Sequence, residues 1–385
     1  MRIGGIISEY NPFHNGHAAQ LEIVRRECDG VISVMSGSFV QRGDVAIYDK
    51  WTRAHAAILS GADLVAELPC CYAVATAERF AAGAVSLLER TCVTDRLYFG
   101  AETPDTDAFQ KAGALLENEP PEVSKKLQGY LSSGMSFPAA REKAFSGLIP
   151  KPLLALPNNL LGLEYCRALS ALKSKIQPCA LPRIGAGHHD QTAGGSIASA
   201  TQIRSLLRAG KDASGFLPDN TRLLYQKAEI RSLAPVERML FYRLRTASPK
   251  ALTSLPDVSE GLENRILSAA KYAGSISELL CAVSAKRYPV TRLRRILIAF
   301  LLELPKDMQR EPIPYLRVLA ANARGREILK QIKQKSTLTI ITKTADYQAA
   351  DMFLADCRAT ELSALCQNSM QKSGADYLTP PVILS

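Results

Sequence analysis

At 385 residues the chain exceeds the length at which one hydrophobic core usually stops growing, so a second domain is expected. Hydrophobic residues make up 47% and charged residues 22%, mean hydropathy is -0.02, and no uninterrupted apolar run reaches the roughly 20 residues that span a bilayer, so membrane insertion is not expected. The net charge of +10 is concentrated: Ser205 to Ala345 carries 25 Lys+Arg against 12 Asp+Glu, an excess of 13, so the rest of the chain sums to -3. A regional excess of this kind suits a surface that binds a polyanion such as nucleic acid.

The opening segment Met1-Arg2-Ile3-Gly4-Gly5-Ile6-Ile7 is too short an apolar stretch for a signal peptide, and a cytoplasmic protein is expected. Arg2 to Ser8 reads as a strand, Gly16 to Arg26 as a helix and Gly30 to Met35 as the next buried strand. Lys50 to Ser60 is helical, Asp63 to Leu68 extended, Ala75 to Arg90 helical, and Arg96 to Gly100 a short strand. This alternation predicts an α/β fold, a doubly wound parallel sheet of Rossmann-like type with helices on both faces. Asp105 to Ser146 reads as helical and is broken at Pro120-Pro121; Asn158 to Lys173 is a helix with Pro157 and an Asn cap at its start. Ile176 to Ile184 returns to strand, and Ser199 caps a helix that opens at Ala200.

Beyond about Gly210 strand signals nearly vanish. Asn220 to Ser232, Pro235 to Arg245, Val258 to Tyr272, Ile276 to Ser284 and Val290 to Leu304 read as amphipathic helices, with a late strand over Thr337 to Ile341 and an extended end at Thr379 to Val382. The expected organisation is an α/β domain over 1–210, with a helical insertion at about 105–150, and a mainly helical basic domain over 211–385. Nine scattered cysteines contain no CxxC pair and no zinc-ligand spacing, and read as reduced, mostly buried thiols. The adjacent pair Cys70-Cys71 admits a redox reading, against which stands the simpler one of two small apolar residues after a strand.

The chemistry concentrates where the first strand runs into Asn11-Pro12-Phe13-His14-Asn15-Gly16-His17 and then a helix. A loop at the carboxyl end of a parallel strand presents backbone N–H groups and the positive helix end to an anion, a fitting place for phosphate. Two histidines three apart, with a glycine that lets the chain approach a ligand closely, add donors that follow charge as it builds on an α-phosphate and a leaving pyrophosphate. Two histidines without a third ligand are a poor zinc site. Ser199-Ala200-Thr201-Gln202-Ile203-Arg204 supplies the complement: two hydroxyls and a guanidinium at a helix start, suited to β- and γ-phosphates.

These strings resemble the HxGH nucleotidyltransferase superfamily, which includes pantetheine-phosphate and nicotinamide-nucleotide adenylyltransferases and, more distantly, class I aminoacyl-tRNA synthetases. More narrowly the chain resembles the bacterial tRNA(Met) cytidine acetate ligase family. The resemblance is carried in order by Glu9 to His17, Val34-Met35-Ser36-Gly37-Ser38-Phe39-Val40-Gln41-Arg42-Gly43, Lys50-Trp51-Thr52-Arg53 and Asp63-Leu64-Val65-Ala66-Glu67-Leu68-Pro69. It continues through Phe99-Gly100-Ala101-Glu102, Pro157-Asn158-Asn159-Leu160-Leu161-Gly162 and Ser199 to Arg204. It covers about the first 210 residues; the helical remainder is similar only in character.

The resemblance implies an ATP-binding loop of Ile7, Ser8, Glu9, Tyr10, Asn11, Pro12, Phe13, His14, Asn15, Gly16, His17, Ala18, Ala19 and Gln20, with His14 and His17 as the catalytic pair on the phosphates. Gly100, Asn158 and Arg183 fall where the family also contacts ATP, and Ser199, Thr201 and Arg204 complete the set. Ala200 departs from the second serine common in the wider superfamily, which puts one phosphate contact in doubt. The implied reaction activates acetate with ATP, magnesium neutralising the triphosphate, and acetylates the wobble cytidine of elongator tRNA(Met); it needs no cysteine nucleophile. Lys286, Arg287, Arg292, Arg294 and Arg295 are the candidates for tRNA phosphates. Two rivals stay open: a small-molecule adenylyltransferase with no RNA substrate, and an RNA-binding protein with a degenerate nucleotide site.

Overall fold

The Ile- and Val-rich runs of the first third are strands buried on both faces, as a parallel sheet covered by helices requires. The computed structural model describes residues 1–183, 197–259, 261–347 and 350–384. Its strands are β1 (Ile3–Ser8), β2 (Gly30–Ser36), β3 (Phe39–Val40), β4 (Asp44–Val45), β5 (Leu64–Leu68), β6 (Arg96–Ala101), β7 (Gln177–Pro182), β8 (Tyr315–Ala321), β9 (Thr339–Ile341) and β10 (Val382–Ile383). The main sheet has the order β10-β8-β5-β2-β1-β6-β7, with β9 also pairing β8. From β5 to β7 all pairings are parallel. The chain winds outward from β1 through β2 and β5 and returns to the other side of β1 for β6 and β7, so the order reverses at β1. The crevice at the carboxyl ends of β1 and β6 is therefore where a doubly wound sheet binds ligand.

Most expected elements are present within a residue or two. The helices are Asn15–Glu27, Lys50–Leu59, Ala77–Arg90, Thr106–Glu117, Pro121–Ser132, Phe137–Ala144, Pro157–Ala171 and Ala200–Arg208, and beyond them Asp219–Gln226, Glu237–Thr246, Leu262–Tyr272, Ile276–Val283 and Val290–Leu302. Ser199 is the cap expected of it, its side chain accepting from the Gln202 amide at 3.2 Å. Asn158 is not: Leu156 holds the cap position, Pro157 supplies the first helical residue, and Asn158 lies inside the first turn with its side chain turned to a carboxylate. The expected end of β7 at Ile184 lies outside the described residues.

The expectation that strands nearly vanish beyond 210 is corrected by β8, which pairs antiparallel with β5; the late strand expected over Thr337 to Ile341 is β9, and β10 forms at the expected extended end, both parallel to β8. The sheet thus continues across the expected boundary, and one apolar cluster runs from residues such as Ile32, Leu64 and Leu97 to Leu240, Leu293 and Phe300 of the later helices. The two sequence regions share a sheet and a core.

A buried charge cluster adds to the pairing of β5 with β8. Lys50, Glu67, Arg317 and Asp376 are each no more than 2% exposed. Lys50 Nζ lies 2.9 Å from both Glu67 oxygens and 2.8 Å from Asp376 Oδ1, and Arg317 pairs with the same two carboxylates at 3.3 and 2.5 Å. Asp356 sits nearby, accepting from the Cys70 amide and the Tyr315 hydroxyl; burial and then the Glu67 charge push its pKa up to about 7. Burial likewise pushes the Cys70 and Cys71 thiols well above their usual range, which makes them inert apolar residues rather than a redox pair. All nine cysteines are free thiols, and Cys28, Cys166 and Cys366 are also buried.

Candidate nucleotide site at the carboxyl end of the first strand

The loop after β1 is held by its own side chains. Tyr10 takes φ 43°, and its hydroxyl shares a 3.0 Å hydrogen bond with Ser33. Asn11 accepts the Ile47 amide at 2.8 Å through its side chain, while its carbonyl accepts Arg204 Nη1 at 2.7 Å. Glu9 accepts the Gln41 amide at 2.9 Å. Arg53, wholly buried, donates to the carbonyls of Tyr48, Glu9, Ser36 and Gly37. Tyr10 and Phe13 are buried in the core, as is Ile7, so these residues of the expected ATP loop shape the backbone from beneath; Pro12 is buried beside them.

The loop delivers His14 to the cap of the helix Asn15–Glu27. His14 Nδ1 accepts the Gly16 amide at 3.1 Å, and His17 Nδ1 accepts the His14 amide at 3.3 Å, a reciprocal capping arrangement built from two imidazoles. The rings stack with centroids 3.8 Å apart. A Cβ on residue 16 would stand 3.0 Å from the His14 ring, so glycine is what allows the close approach. Burial first, then Arg183 and Arg204, depresses the His14 pKa to about 4; burial, His14 and Arg183 hold His17 well below its ordinary value. Both rings are neutral near pH 7. Because each accepts through Nδ1, each carries its proton on Nε2 and offers one donor.

A depressed histidine pKa has a consequence for stability. An unfolded chain protonates His14 near pH 6.5 and the folded one only near 4, so this contribution is complete above 6.5 and is lost as pH falls towards 4, a difference of about 3 kcal/mol. The ligand-free protein should lose thermal stability across that window, and His14→Asn should flatten the curve there. Parallel stability–pH curves for the two proteins would contradict the assignment.

The expected partners converge on the same crevice. Arg204 reaches Asn11 and also donates to Thr201 Oγ1 at 3.1 Å, which ties the start of the Ala200–Arg208 helix to the histidine loop. Ser199 and Thr201 accept within that turn and keep their O–H groups to donate. Across the crevice, Glu102 at the end of β6 accepts Asn158 Nδ2 at 2.6 Å and the Asn159 amide at 2.9 Å, and lies 3.9 Å from Arg183. Gly100 leaves room for Arg183, whose Cγ would be 3.3 Å from an added Cβ. Glu102 belongs to the Phe99-Gly100-Ala101-Glu102 string, yet nothing local marks it as the residue that orients Asn158 and Arg183. Ala18 and Ala19, with Asn15, border a cavity of about 640 Å³ that Glu22, Arg25 and Asn220 also line; Gln20 follows them in the helix, half-buried.

Two supports come from beyond residue 210 and had no sequence signal. The Tyr225 hydroxyl accepts the Phe13 amide at 3.1 Å, its ring stacked on Tyr48, and Asn15 Nδ2 donates to the Gly215 carbonyl. The turn between β3 and β4 packs against the basic helix Val290–Leu302: Gly43, at φ 72°, faces the backbone of Arg294 and Arg295 so closely that a Cβ would collide with it. Of the five cations expected to meet tRNA, Lys286, Arg287 and Arg294 are exposed. Arg292 donates to the Asp257 carbonyl at 2.9 and 2.7 Å, and Arg295, 11% exposed, pairs with the Asp257 carboxylate at 2.8 Å. Those two are committed to helix packing.

A neutral pair of Nε2–H donors at a helix N-terminus, faced by Arg204 and Arg183, is a geometry that could hold phosphate, as nucleotidyltransferases require. A family model described as HIGH Nucleotidyl Transferase matches residues 1–377. A tRNA(Met) cytidine acetate ligase of Clostridium perfringens is 38% identical over 402 residues, and one of a Thermoanaerobacter species is 39% identical over 403, each covering 100% of both chains. Two crystal structures of Thermotoga maritima TmcAL, one bound with alpha-thio ATP and one apo, superpose with TM-scores of 0.91 and 0.92 at 30% identity over the whole of both chains. The chain belongs to the tRNA(Met) cytidine acetate ligase family.

Proposed function

We propose that the protein is an ATP-dependent ligase that activates acetate as acetyl-adenylate and transfers the acetyl group to N4 of the wobble cytidine of elongator tRNA(Met), releasing AMP and pyrophosphate. The observation that carries the reading is the His14–His17 pair, neutral and donating through Nε2, within reach of Arg204 at the carboxyl end of β1.

An acetate oxygen attacks the α-phosphorus in line and the bond to pyrophosphate breaks. The imidazole donors and the helix end stabilise charge growing on the α-phosphate, while Arg204, Ser199 and Thr201 take the departing β- and γ-phosphates. Neutral rings suit this role: they donate without drawing a competing carboxylate, and with His14 held down to about 4 and His17 also held well below its ordinary value they stay poor proton acceptors. In the second step the cytosine N4 lone pair attacks the acetyl carbon, the bond to the bridging oxygen breaks, AMP leaves and N4 loses a proton to solvent. Asn158 and Arg183, oriented by Glu102, hold the nucleotide on the other side of the crevice. Magnesium, when bound, would help neutralise the triphosphate charge; among the described residues no three His, Cys, Asp or Glu side chains gather to hold an ion.

Residues 1–210 carry the chemistry in this account, and the basic helical stretch beyond them meets tRNA, Lys286, Arg287 and Arg294 first. No described helix is long and apolar enough to cross a membrane, and a tRNA substrate favours a cytoplasmic enzyme. Incubating the purified protein with ATP, acetate and unmodified methionine tRNA, then digesting the RNA, should yield N4-acetylcytidine by mass. Adenylyl transfer to a small phosphate ester with no RNA product would instead favour a small-molecule adenylyltransferase.

A further inference from the structure

The second helical run contains two tyrosines that the fold does not use. Tyr242, on the helix Glu237–Thr246, is 70% exposed, and Tyr272, the last residue of the helix Leu262–Tyr272, is 86% exposed. Single exposed aromatics are ordinary. Tyr242 lines a cavity of about 520 Å³, and Tyr272 directly precedes two of its other lining residues, Ala273 and Gly274, in the chain. That volume suits a small organic group.

The walls are cationic. Arg238 and Arg245 stand one turn before and one turn after Tyr242 on the same helix face, both exposed, and Lys271 adjoins Tyr272. Arg245 fixes the cleft's shape, donating to the Ala270 and Ala273 carbonyls at 2.9 and 3.1 Å with its guanidinium over the Phe241 ring. The nearby acids are occupied with backbone: Glu237 accepts the Ile276 amide at 2.7 Å, and Glu278 the Gly274 amide at 2.8 Å. The cleft therefore combines exposed rings with three cations, Arg238, Arg245 and Lys271, against the two carboxylates of Glu237 and Glu278, and sits inside the region that carries the chain's basic excess.

We infer that this cleft is a stacking site for an unpaired nucleotide of the RNA substrate, with Tyr242 and Tyr272 taking base faces and Arg238 and Lys271 the flanking phosphates. The inference rests on the proposed RNA substrate and adds where a single-stranded part of it is held. Stacking on an aromatic ring accepts any base, and the basic rim tracks the backbone.

The test is binding of unmodified methionine tRNA by fluorescence anisotropy at several salt concentrations. Y242A and Y272A should each weaken affinity by about tenfold, and the double variant by more, with the salt dependence unchanged because no charge is removed. Y242F and Y272F should bind as the parent does, unchanged melting temperatures showing that the alanine variants fold. R238Q with K271Q should instead lower the salt slope. Against a fully paired RNA hairpin stem, the tyrosine variants should match the parent. If Y242A/Y272A binds tRNA within twofold of a parent that binds and acetylates it, the stacking site is wrong while the proposed function stands, and a protein partner becomes the reading of this face. A parent that neither binds nor acetylates tRNA overturns both.

Discussion

His17→Ala is expected to slow acetate-dependent exchange between ATP and pyrophosphate by about 10²–10³-fold, the scale of losing one preorganised donor to a developing oxyanion. The ring is neutral, its Nδ1 is occupied by the His14 amide, and its one remaining N–H is the group lost. Binding of tRNA should stay within about twofold of the parent, since the proposed function assigns that affinity to phosphate contacts of the basic region. The variant also loses half of the capping arrangement, worth about 1 kcal/mol, so its melting temperature should fall slightly. A large loss of tRNA affinity with exchange intact would count against the role given to His17.

Lys50→Met is expected to destabilise the protein by about 3–5 kcal/mol, measured as a lower urea midpoint, because it leaves Glu67 and Asp376 buried with Arg317 as their remaining cation. The damage should spread in a definite way. Glu67 lies on β5, Arg317 on β8 and Asp376 in the short helix Ala375–Leu378, so losing Lys50 loosens the antiparallel join and the C-terminal segment together. By contrast the surface pair Arg26–Glu22, with side chains 73% and 66% exposed, should be replaceable with little effect. An unchanged midpoint for Lys50→Met would mean that the methionine packs well enough to offset the unpaired charge.

The parallel half of the sheet was legible because each strand announces itself locally: Ile3 to Ser8, Gly30 to Ser36 and Leu64 to Leu68 are apolar on both faces and alternate with amphipathic helices. β8 was not, for an equally physical reason. A seven-residue buried run cannot be told from a piece of buried helix by periodicity, and Arg317 in its middle reads as a surface residue until its carboxylate partners are known. Those partners are Glu67 and Asp376, far away in sequence.

The site divided along the same line. His14, Gly16, His17, Ser199, Thr201 and Arg204 could be read from type, spacing and position beside a strand end. The residues that hold them in place could not: Arg53 acts through four carbonyls, Glu102 through two asparagines and an arginine, and Tyr225 through one backbone amide. Such contacts depend on tertiary neighbours and leave no pattern along the chain. Among the basic candidates, charge located the region, but Asp257 claims Arg292 and Arg295 for packing. Charge alone does not separate a solvated cation from a paired one.

The central claim is that the His14–His17 loop directs acetate onto the α-phosphate of ATP, and the fate of the acetate oxygen tests it most directly. With doubly ¹⁸O-labelled acetate, ATP and unmodified methionine tRNA, the account predicts AMP carrying one acetate-derived oxygen and pyrophosphate carrying none. Labelled pyrophosphate or orthophosphate, or unlabelled AMP alongside acetylated tRNA, would contradict it.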